Sequence, residues 1–184
     1  GPSNNGQTGK VHLGQTNTVN VGTIQVGGLA GNGTLDFQSG LTAPTLKIRG
    51  SGGTDTDRAS VIVGTSAGFA GTTNVFTMGT TGVIDAKIST MLIAEGLRTG
   101  LNVPTVNGTF SMGTGTLDAT SITVAKDQNV GTSSGTAAIG TFHLNGGTVT
   151  VGTLGIGYRM AAGHAAVLGT FNLNSGNLYA TEVM

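Results

Sequence analysis

Hydrophobic residues recur in pairs two positions apart along this chain, and the pairs fall within copies of one short pattern. The clearest copy spans residues 140–157, with the sequence GTFHLNGGTVTVGTLGIG. Near-copies recur from one end of the chain to the other and begin at Val11, Gly33, Val75, Gly108 and Gly169. Repeats a few tens of residues long are typical of solenoids and propellers, so the fold is sought among these.

Each copy contains three apolar pairs, which predict three short strands. A spacing of two places both side chains of a pair on one face of a strand. In the clearest copy the pairs are Phe142/Leu144, Val149/Val151 and Leu154/Ile156. The step from the second pair to the third is an odd number of residues, which changes the phase of the pleat. We therefore predict a corner between the second and third strands.

Alignment of the copies predicts which residues stack above one another. The first-strand columns are Val11, Leu35, Phe76, Phe110, Phe142 and Phe171, with Leu13, Phe37, Met78, Met112, Leu144 and Leu173 two residues on. The second-strand pairs are Val19/Val21, Leu41/Ala43, Ile84/Ala86, Leu117/Ala119, Val149/Val151 and Leu178/Ala180. The third-strand pairs are Ile24/Val26, Leu46/Ile48, Met91/Ile93, Ile122/Val124 and Leu154/Ile156. Residues Gly22, Pro44 and Gly152 then lie at corners.

One copy is therefore predicted to be one turn of a solenoid, with parallel strands stacked about 4.8 Å apart around a dry interior. The predicted fold class is all-β, a single-stranded right-handed parallel β-helix with three short strands per coil and about five to six coils. The right hand follows from the general preference of parallel crossover connections. A propeller is disfavoured because each blade needs four antiparallel strands.

Composition and charge agree with this fold and exclude several partners. Gly contributes 34 of 184 residues, but the regular apolar columns distinguish the chain from a disordered Gly-rich segment. The net charge is zero and the charges are scattered, so nucleic acid is not an expected partner. No apolar run approaches the ~18 residues of a membrane span, and membrane insertion is not expected. The chain has no cysteine and so no disulfide.

The two ends of the sequence suggest a piece of a longer protein. We expect residues 1–10 to be a flexible N-terminal segment, whose opening Gly1-Pro2-Ser3 resembles the remnant of a protease-cleaved fusion. Residues 11–184 form one β-solenoid repeat domain. Neither end has a convincing polar capping repeat, and the sequence stops partway through a copy. We therefore expect a fragment of a longer repeat protein without proper end caps.

The segments GTFHLNGGTVTVGTLGIG and GTFNLNSGNLYA resemble a known family of repeats. They are similar to the autotransporter-associated β-strand repeats of large bacterial surface proteins. The resemblance covers residues 11–184 and is strongest from Gly108 onward, whereas the copy near Phe76 and residues 51–74 depart from it. It implies a right-handed parallel β-helix exported to the cell surface or beyond, where it serves as a stalk or adhesin scaffold. The repeat carries no catalytic residue.

Four aspartates are the candidates for chemistry. In the alignment Asp85 and Asp118 share one outward position in adjacent coils, which would place them about 5 Å apart. They could act as paired carboxylates or hold a cation, or they could be ordinary solvated side chains. Asp55 and Asp57 could coordinate calcium, but the known calcium-binding loop patterns are missing, which favours a turn capped by aspartate. We expect no metal and no cofactor.

A few exposed side chains could form a contact surface. Tyr158 and Arg159 lie in a predicted loop, with Tyr179 pointing outward nearby. Phe69 lies in the longest insertion, where it either folds back over a sheet or contacts a partner. Single exposed aromatic residues are common, so these four residues remain candidates only for contact with a protein or a surface glycan.

The sequence favours a structural or adhesive module at the bacterial cell surface or in the extracellular space, and not an enzyme. Stacked coils would make a stiff stalk or spacer, and variable loops would supply recognition. One alternative is a filament subunit, in which coil ends stack head to tail and the partner is a second copy or neighbouring repeats. Another is a polysaccharide-binding or polysaccharide-degrading β-helix, although eight acidic residues spread along the chain rarely converge on one groove.

Overall fold

A computed structural model describes residues 7–28, 31–66, 71–97, 105–128, 137–159 and 166–184. The described residues contain strands and turns but no helix. The strands are β1 (Thr8–Leu13), β2 (Thr16–Asn20), β3 (Thr23–Val26), β4 (Asn32–Phe37), β5 (Thr45–Arg49), β6 (Ala59–Ser66), β7 (Thr72–Thr77), β8 (Val83–Gly96), β9 (Val106–Met112), β10 (Thr114–Asp127), β11 (Ala138–Arg159) and β12 (Val167–Val183). No helix long and apolar enough to cross a membrane occurs in the described part of the chain.

These strands stack in parallel to form a β-solenoid of about five turns, which confirms the predicted fold class. The first face contains β1, β4, β7, β9 and the starts of β11 and β12. The second face contains β2, β5, the starts of β8 and β10, and the middle of β11 and β12. The third face contains β3, β6 and the later parts of β8, β10 and β11.

The interior is built from the apolar columns that the repeat predicts. On the first face Phe76, Phe110 and Phe142 are fully buried, and their ring centroids lie 5.1 Å and 4.9 Å apart. Phe171 continues this stack at 4.6 Å from Phe142. Burying large aromatic side chains in contact with one another supplies apolar burial and a further ~0.5–1.5 kcal/mol per pair. The phenylalanine column therefore ties successive coils together.

The second coil departs from the predicted alignment. Leu41 and Ala43 lie in the turn between β4 and β5, and Ala43 has a positive φ of 45°. The predicted third-strand residue Ile48 instead lies on the second face, opposite Val19. The third strand of this coil is β6, which follows the excursion at residues 50–58 and places Val61 opposite Ile24. Both corners of this coil carry extra residues, so the sequence alignment paired the wrong strands.

A left-handed residue lies at or near the end of the third strand in successive coils. The residues are Gly27, Gly64, Ala94, Ala125 and Gly157, with φ values between 61° and 83°. The next first strand passes close to this bend. A Cβ at Gly140 would lie 2.5 Å from the nitrogen of Ala125 and 2.6 Å from the carbonyl oxygen of Ile93. This close approach explains the glycine that opens the GTF pattern.

Candidate functional site

Charged side chains gather where the second face turns toward the third. We call this group the charged corner. It consists of Lys47, Arg49, Asp55, Arg58, Asp85, Lys87 and Asp118. The corner contains two arginines. Arg49 directly precedes the excursion at residues 50–58, and Arg58 is its last residue. The corner therefore joins an inserted loop to the regular coils.

Arg49 anchors the start of the excursion. Its guanidinium is almost fully buried and donates hydrogen bonds to the carbonyl oxygens of Ile48 and Asp85 at 2.8 Å and 2.9 Å. It also donates to Oδ2 of Asp85 and Oδ1 of Asp55, both at 2.8 Å. Because Asp85 lies in the next coil, Arg49 joins two coils through backbone and side-chain contacts together.

Arg58 anchors the end of the excursion and reaches two coils along the solenoid. It donates to the carbonyl oxygens of Ile88 and Asp118 at 3.1 Å and 3.0 Å. The same guanidinium contacts both carboxylate oxygens of Asp118 at 3.0 Å. Lys87 adds a third donor, with Nζ 2.8 Å from Oδ2 of Asp118. A bidentate arginine and a lysine thus hold one carboxylate in a fixed position.

These contacts change how readily the charged groups titrate. The hydrogen bond from Arg58 lowers the pKa of Asp118 below its ordinary value; burial opposes this shift and the hydrogen bond from Lys87 adds to it. The pKa of Asp55 is lowered mainly by its hydrogen bond from Arg49. Burial acts to lower the pKa of Arg49, but its hydrogen bonds to Asp85 and Asp55 outweigh burial and raise it. The corner therefore keeps these groups ionised at neutral pH.

The prediction that Asp85 and Asp118 share one position is wrong. Asp85 lies opposite Thr116, and Asp118 lies opposite Lys87, because the strands are paired two residues away from the predicted register. Each carboxylate is held by its own arginine. A general acid needs an accessible proton and a raised pKa, whereas Asp118 has a lowered pKa and three cationic hydrogen bonds.

The excursion itself is organised as a turn. The carboxylate of Asp57 accepts a hydrogen bond from the amide of Thr54 at 3.1 Å, which is the capping role that the sequence favours. Asp55 points back to Lys47 and Arg49. Among the residues that the structure describes, no three His, Cys, Asp or Glu side chains come together as a metal site would require. The aspartates of this loop stabilise its conformation.

A shallow groove of about 270 Å³ lies beside the charged corner on the second face. Its polar lining is formed by carboxylates, a lysine and threonines, namely Asp85, Lys87, Thr116, Asp118, Thr148 and Thr150. The charged members of this lining already bind one another or an arginine. The groove thus presents threonine hydroxyls and compensated charges.

The candidate contact residues are distributed over different surfaces. Tyr179 is exposed on the second face in the last coil, next to Thr150. Tyr158 and Arg159 form the end of β11 and are exposed, opposite Lys126 and Asp127 of β10. They lie within a strand, where the sequence predicts a loop. Phe69 lies outside the described residues.

A second polar group lies at the edge where β6, β8, β10 and β11 end, and the sequence analysis missed it. Thr65, Glu95, Lys126 and Tyr158 stand in register there. The side chain of Glu95 is only 5% exposed, lies 4.0 Å from Nζ of Lys126 and accepts a hydrogen bond from Gln128. A signal was available, because each residue comes two positions after the third-strand pair in its own copy.

Comparison of the chain with protein-family models, with curated proteins and with solved structures finds no match. Function is therefore inferred from the fold and from the contacts described above.

Proposed function

We propose that this chain is a stiff structural module, a spacer, of a bacterial cell-surface or secreted protein. The observation that carries this proposal is the parallel ladder that continues from the second face around the corner into the third. The long strand β11 pairs with β10 on one side and with β12 on the other, through the second face and around the corner into the third. A ladder that passes around corners resists bending in every direction, because a bend toward any side stretches the hydrogen bonds between coils on the opposite face.

The interior and the charged corner support the same function. Close-packed apolar columns resist sliding of one coil over another, since each side chain is enclosed by the coils above and below it. Arg58 adds a bond that spans the second, third and fourth coils by contacting Ile88 and Asp118. Charged side chains here reinforce stacking, which is a mechanical role.

Recognition is proposed for the parts of the sequence that follow the third strand of each coil. The residues that end β6, β8, β10 and β11 stand in register: Ser66, Gly96, Asp127 and Arg159. The segments that follow them differ in sequence. Variable connecting segments between the strands of a rigid scaffold commonly carry the residues that bind a partner. The similarity of the GTF repeat to autotransporter-associated repeats favours a location outside the cell.

Electron–electron distance measurement between two spin labels tests the stiffness. The chain has no cysteine, so Lys10→Cys and Thr170→Cys provide unique labelling sites. These residues belong to the same outward column of the first face in the first and last coils. Five steps of stacking predict a backbone separation of about 24 Å.

A single narrow distance distribution is expected for a stiff spacer. Doubly labelled protein is diluted with unlabelled protein so that only distances within one chain are measured. The same sample in concentrated urea supplies the broad reference distribution. A comparably broad distribution under native conditions would contradict the proposal.

We also propose that the chain is not an enzyme. The carboxylates that the sequence offered as catalysts are held by arginine and lysine, and Asp85 and Asp118 belong to separate networks. Incubation with pectate, alginate and hyaluronan tests this directly. Turnover that is lost in both Asp85→Asn and Asp118→Asn would overturn it.

A further inference from the structure

The groove beside the charged corner is the gap between two columns of outward side chains on the second face. Leu117 and Val149 are buried in the interior, so the residues on either side of them point outward. The two columns are two residues apart along each strand, about 6.7 Å, and successive coils add a row every ~4.8 Å. Three rows line the groove of about 270 Å³, namely Asp85 and Lys87, Thr116 and Asp118, and Thr148 and Thr150.

The two columns run from the charged corner toward the last coil. In the second coil Lys47 stands in register with Asp85 and contacts Asp55, so the corner bounds the groove on that side. In the last coil the columns continue with the uncharged side chains of Asn177 and Tyr179. A ligand in the groove therefore lies along the solenoid axis and across the strands.

The polar groups of the groove are held in place but keep binding capacity. Asp118 is fixed by Arg58 and Lys87, while one third of its side chain stays exposed. Asp85 is half exposed and binds Arg49 through Oδ2; within the described part of the chain, its Oδ1 has no hydrogen-bond partner. The hydroxyls that are free in the same sense are those of Thr116, Thr148 and Thr150. Groups that are ordered before binding lose little entropy when a ligand binds.

The charges of the corner and the groove select a neutral ligand. Together they comprise four cations and three carboxylates, and each carboxylate already binds a cation. No strong field of either sign is therefore present to attract a charged polymer. Carboxylate acceptors, an ammonium donor and hydroxyls alternate along the lining, so a complementary ligand carries many groups that both donate and accept. Hydroxyl groups have this property.

From this lining we propose that the groove binds a neutral glycan chain, with its sugar rings along the solenoid axis between the two columns. Asp85 and Asp118 accept hydrogen bonds from sugar hydroxyls, and Lys87 donates to them. The ring of Tyr179 supplies a flat surface for the C–H face of a sugar. This site lies on the second face and so goes beyond the recognition proposed above. It depends on neither stiffness nor location, and no bond of the glycan is broken.

Mapping of amide chemical shifts with soluble oligosaccharides tests the proposal on the 184-residue chain. The neutral probes are cellohexaose, xylohexaose and mannohexaose, and hexagalacturonate is the acidic comparison. We expect at least one neutral probe to shift the amide resonances of residues 116–118 and 148–150. A dissociation constant of roughly 1 mM suits a shallow groove of this size.

Two matched double variants test the role of the groove hydroxyls. Thr116→Val with Thr148→Val removes two hydroxyls from the lining while keeping side-chain shape and β propensity. It should weaken binding about tenfold, because two hydrogen bonds to the glycan are lost. Thr109→Val with Thr141→Val makes the same change in the same two coils, at outward positions of the first face that are also in register. This control should bind like the parent chain.

The tyrosine is tested separately. Tyr179→Ala removes the stacking surface and should weaken binding about fivefold. Tyr179→Phe keeps the ring and should bind like the parent chain. Equal affinities of the alanine and phenylalanine variants would show that the ring does not stack on the glycan, and would refute its assignment to the site.

Other results would overturn the site itself. If no neutral probe shifts these resonances at concentrations well above the expected dissociation constant, the groove does not bind this class of ligand. If only hexagalacturonate binds, the positive charges of the corner control binding and the neutral class is wrong. Shifts confined to the residues that follow the third strands would favour the recognition proposed above and exclude the groove. Equal weakening by the two double threonine variants would show that binding is not specific to the second face.

Discussion

Replacing Gly140 by alanine should destabilise the solenoid at the bend where one coil passes into the next. The added Cβ would lie 2.5 Å from the backbone nitrogen of Ala125 and 2.6 Å from the carbonyl oxygen of Ile93. Both partners are backbone atoms, so no side chain can rotate away to make room. The nearest response is a shift of a strand that is already paired with coils on both sides.

The expected loss follows from two opposing contributions. Overpacking a well-filled site costs about 1–3 kcal/mol, and a clash with paired backbone belongs at the upper end of that range. Alanine also restricts the unfolded chain more than glycine does, which returns about 0.4–1 kcal/mol. We therefore expect Gly140→Ala to lower the free energy of unfolding by about 2 kcal/mol.

Gly155→Ala is the matched control, because it makes the same chemical change in the same strand. A Cβ at Gly155 would meet the side chain of Thr123 at 3.7 Å and the carbonyl oxygen of Ile122 at 4.0 Å, which are ordinary contact distances. This variant should be neutral or slightly stabilising. Urea unfolding followed by far-ultraviolet circular dichroism measures both. Equal midpoints for the two variants would refute the steric explanation of the repeated glycine.

Two further predictions concern the core and the charged corner. Phe110→Ala, between Phe76 and Phe142, should lower the free energy of unfolding by about 3–5 kcal/mol in urea titrations, because it removes a fully buried ring and two ring contacts. Asp118→Asn should cost about 1 kcal/mol at pH 7, since the carboxylate is one-third exposed and bound by Arg58. The folded pKa of Asp118 lies below the unfolded value, so its contribution is present above that value and disappears as the pH falls through the folded pKa. Unfolding titrations of both proteins from pH 7 to pH 2 should therefore converge in acid, and a constant difference would contradict this assignment.

The sequence was sufficient for the fold class and for most of the core. The first-strand columns are correct because every copy keeps its aromatic or aliphatic pair two and four residues after the repeated glycine, or after Asn74 in the third coil. Phe110 and Phe142 pair directly with each other, as aligned. The third-strand pairs Ile122/Val124 and Leu154/Ile156 are also correct. Apolar periodicity identifies these third-strand pairs because no insertion separates them from the second strand of the same coil.

The second coil and the charged corner could not be predicted in the same way. Apolar spacing alone does not distinguish a turn containing Leu41 and Ala43 from a strand. An insertion such as residues 50–58 interrupts the apolar pattern, and nothing in its sequence predicts where the next strand begins. The contact between Arg58 and Asp118 joins residues 60 positions apart in sequence, in coils that are not adjacent. No local pattern marks such a pair.

One copy lacks the glycine that opens the GTF pattern, and it shows how the bend at the end of the third strand restricts the residues that face each other there. In the third coil Asn74 occupies that position; it is fully buried and accepts a hydrogen bond from the amide of Gly33 at 2.9 Å. Its amide group donates to the carbonyl oxygen of Asn107 at 3.3 Å, so it joins the coils on both sides. A Cβ at Gly27 or Gly64 would collide with this side chain. The left-handed residue beside an asparagine is therefore glycine, whereas Ala94 and Ala125, which face glycines, can keep their methyl groups. An asparagine at one position therefore requires glycine at the other, whereas a glycine there is compatible with either alanine or glycine, as Gly157 beside Gly169 shows.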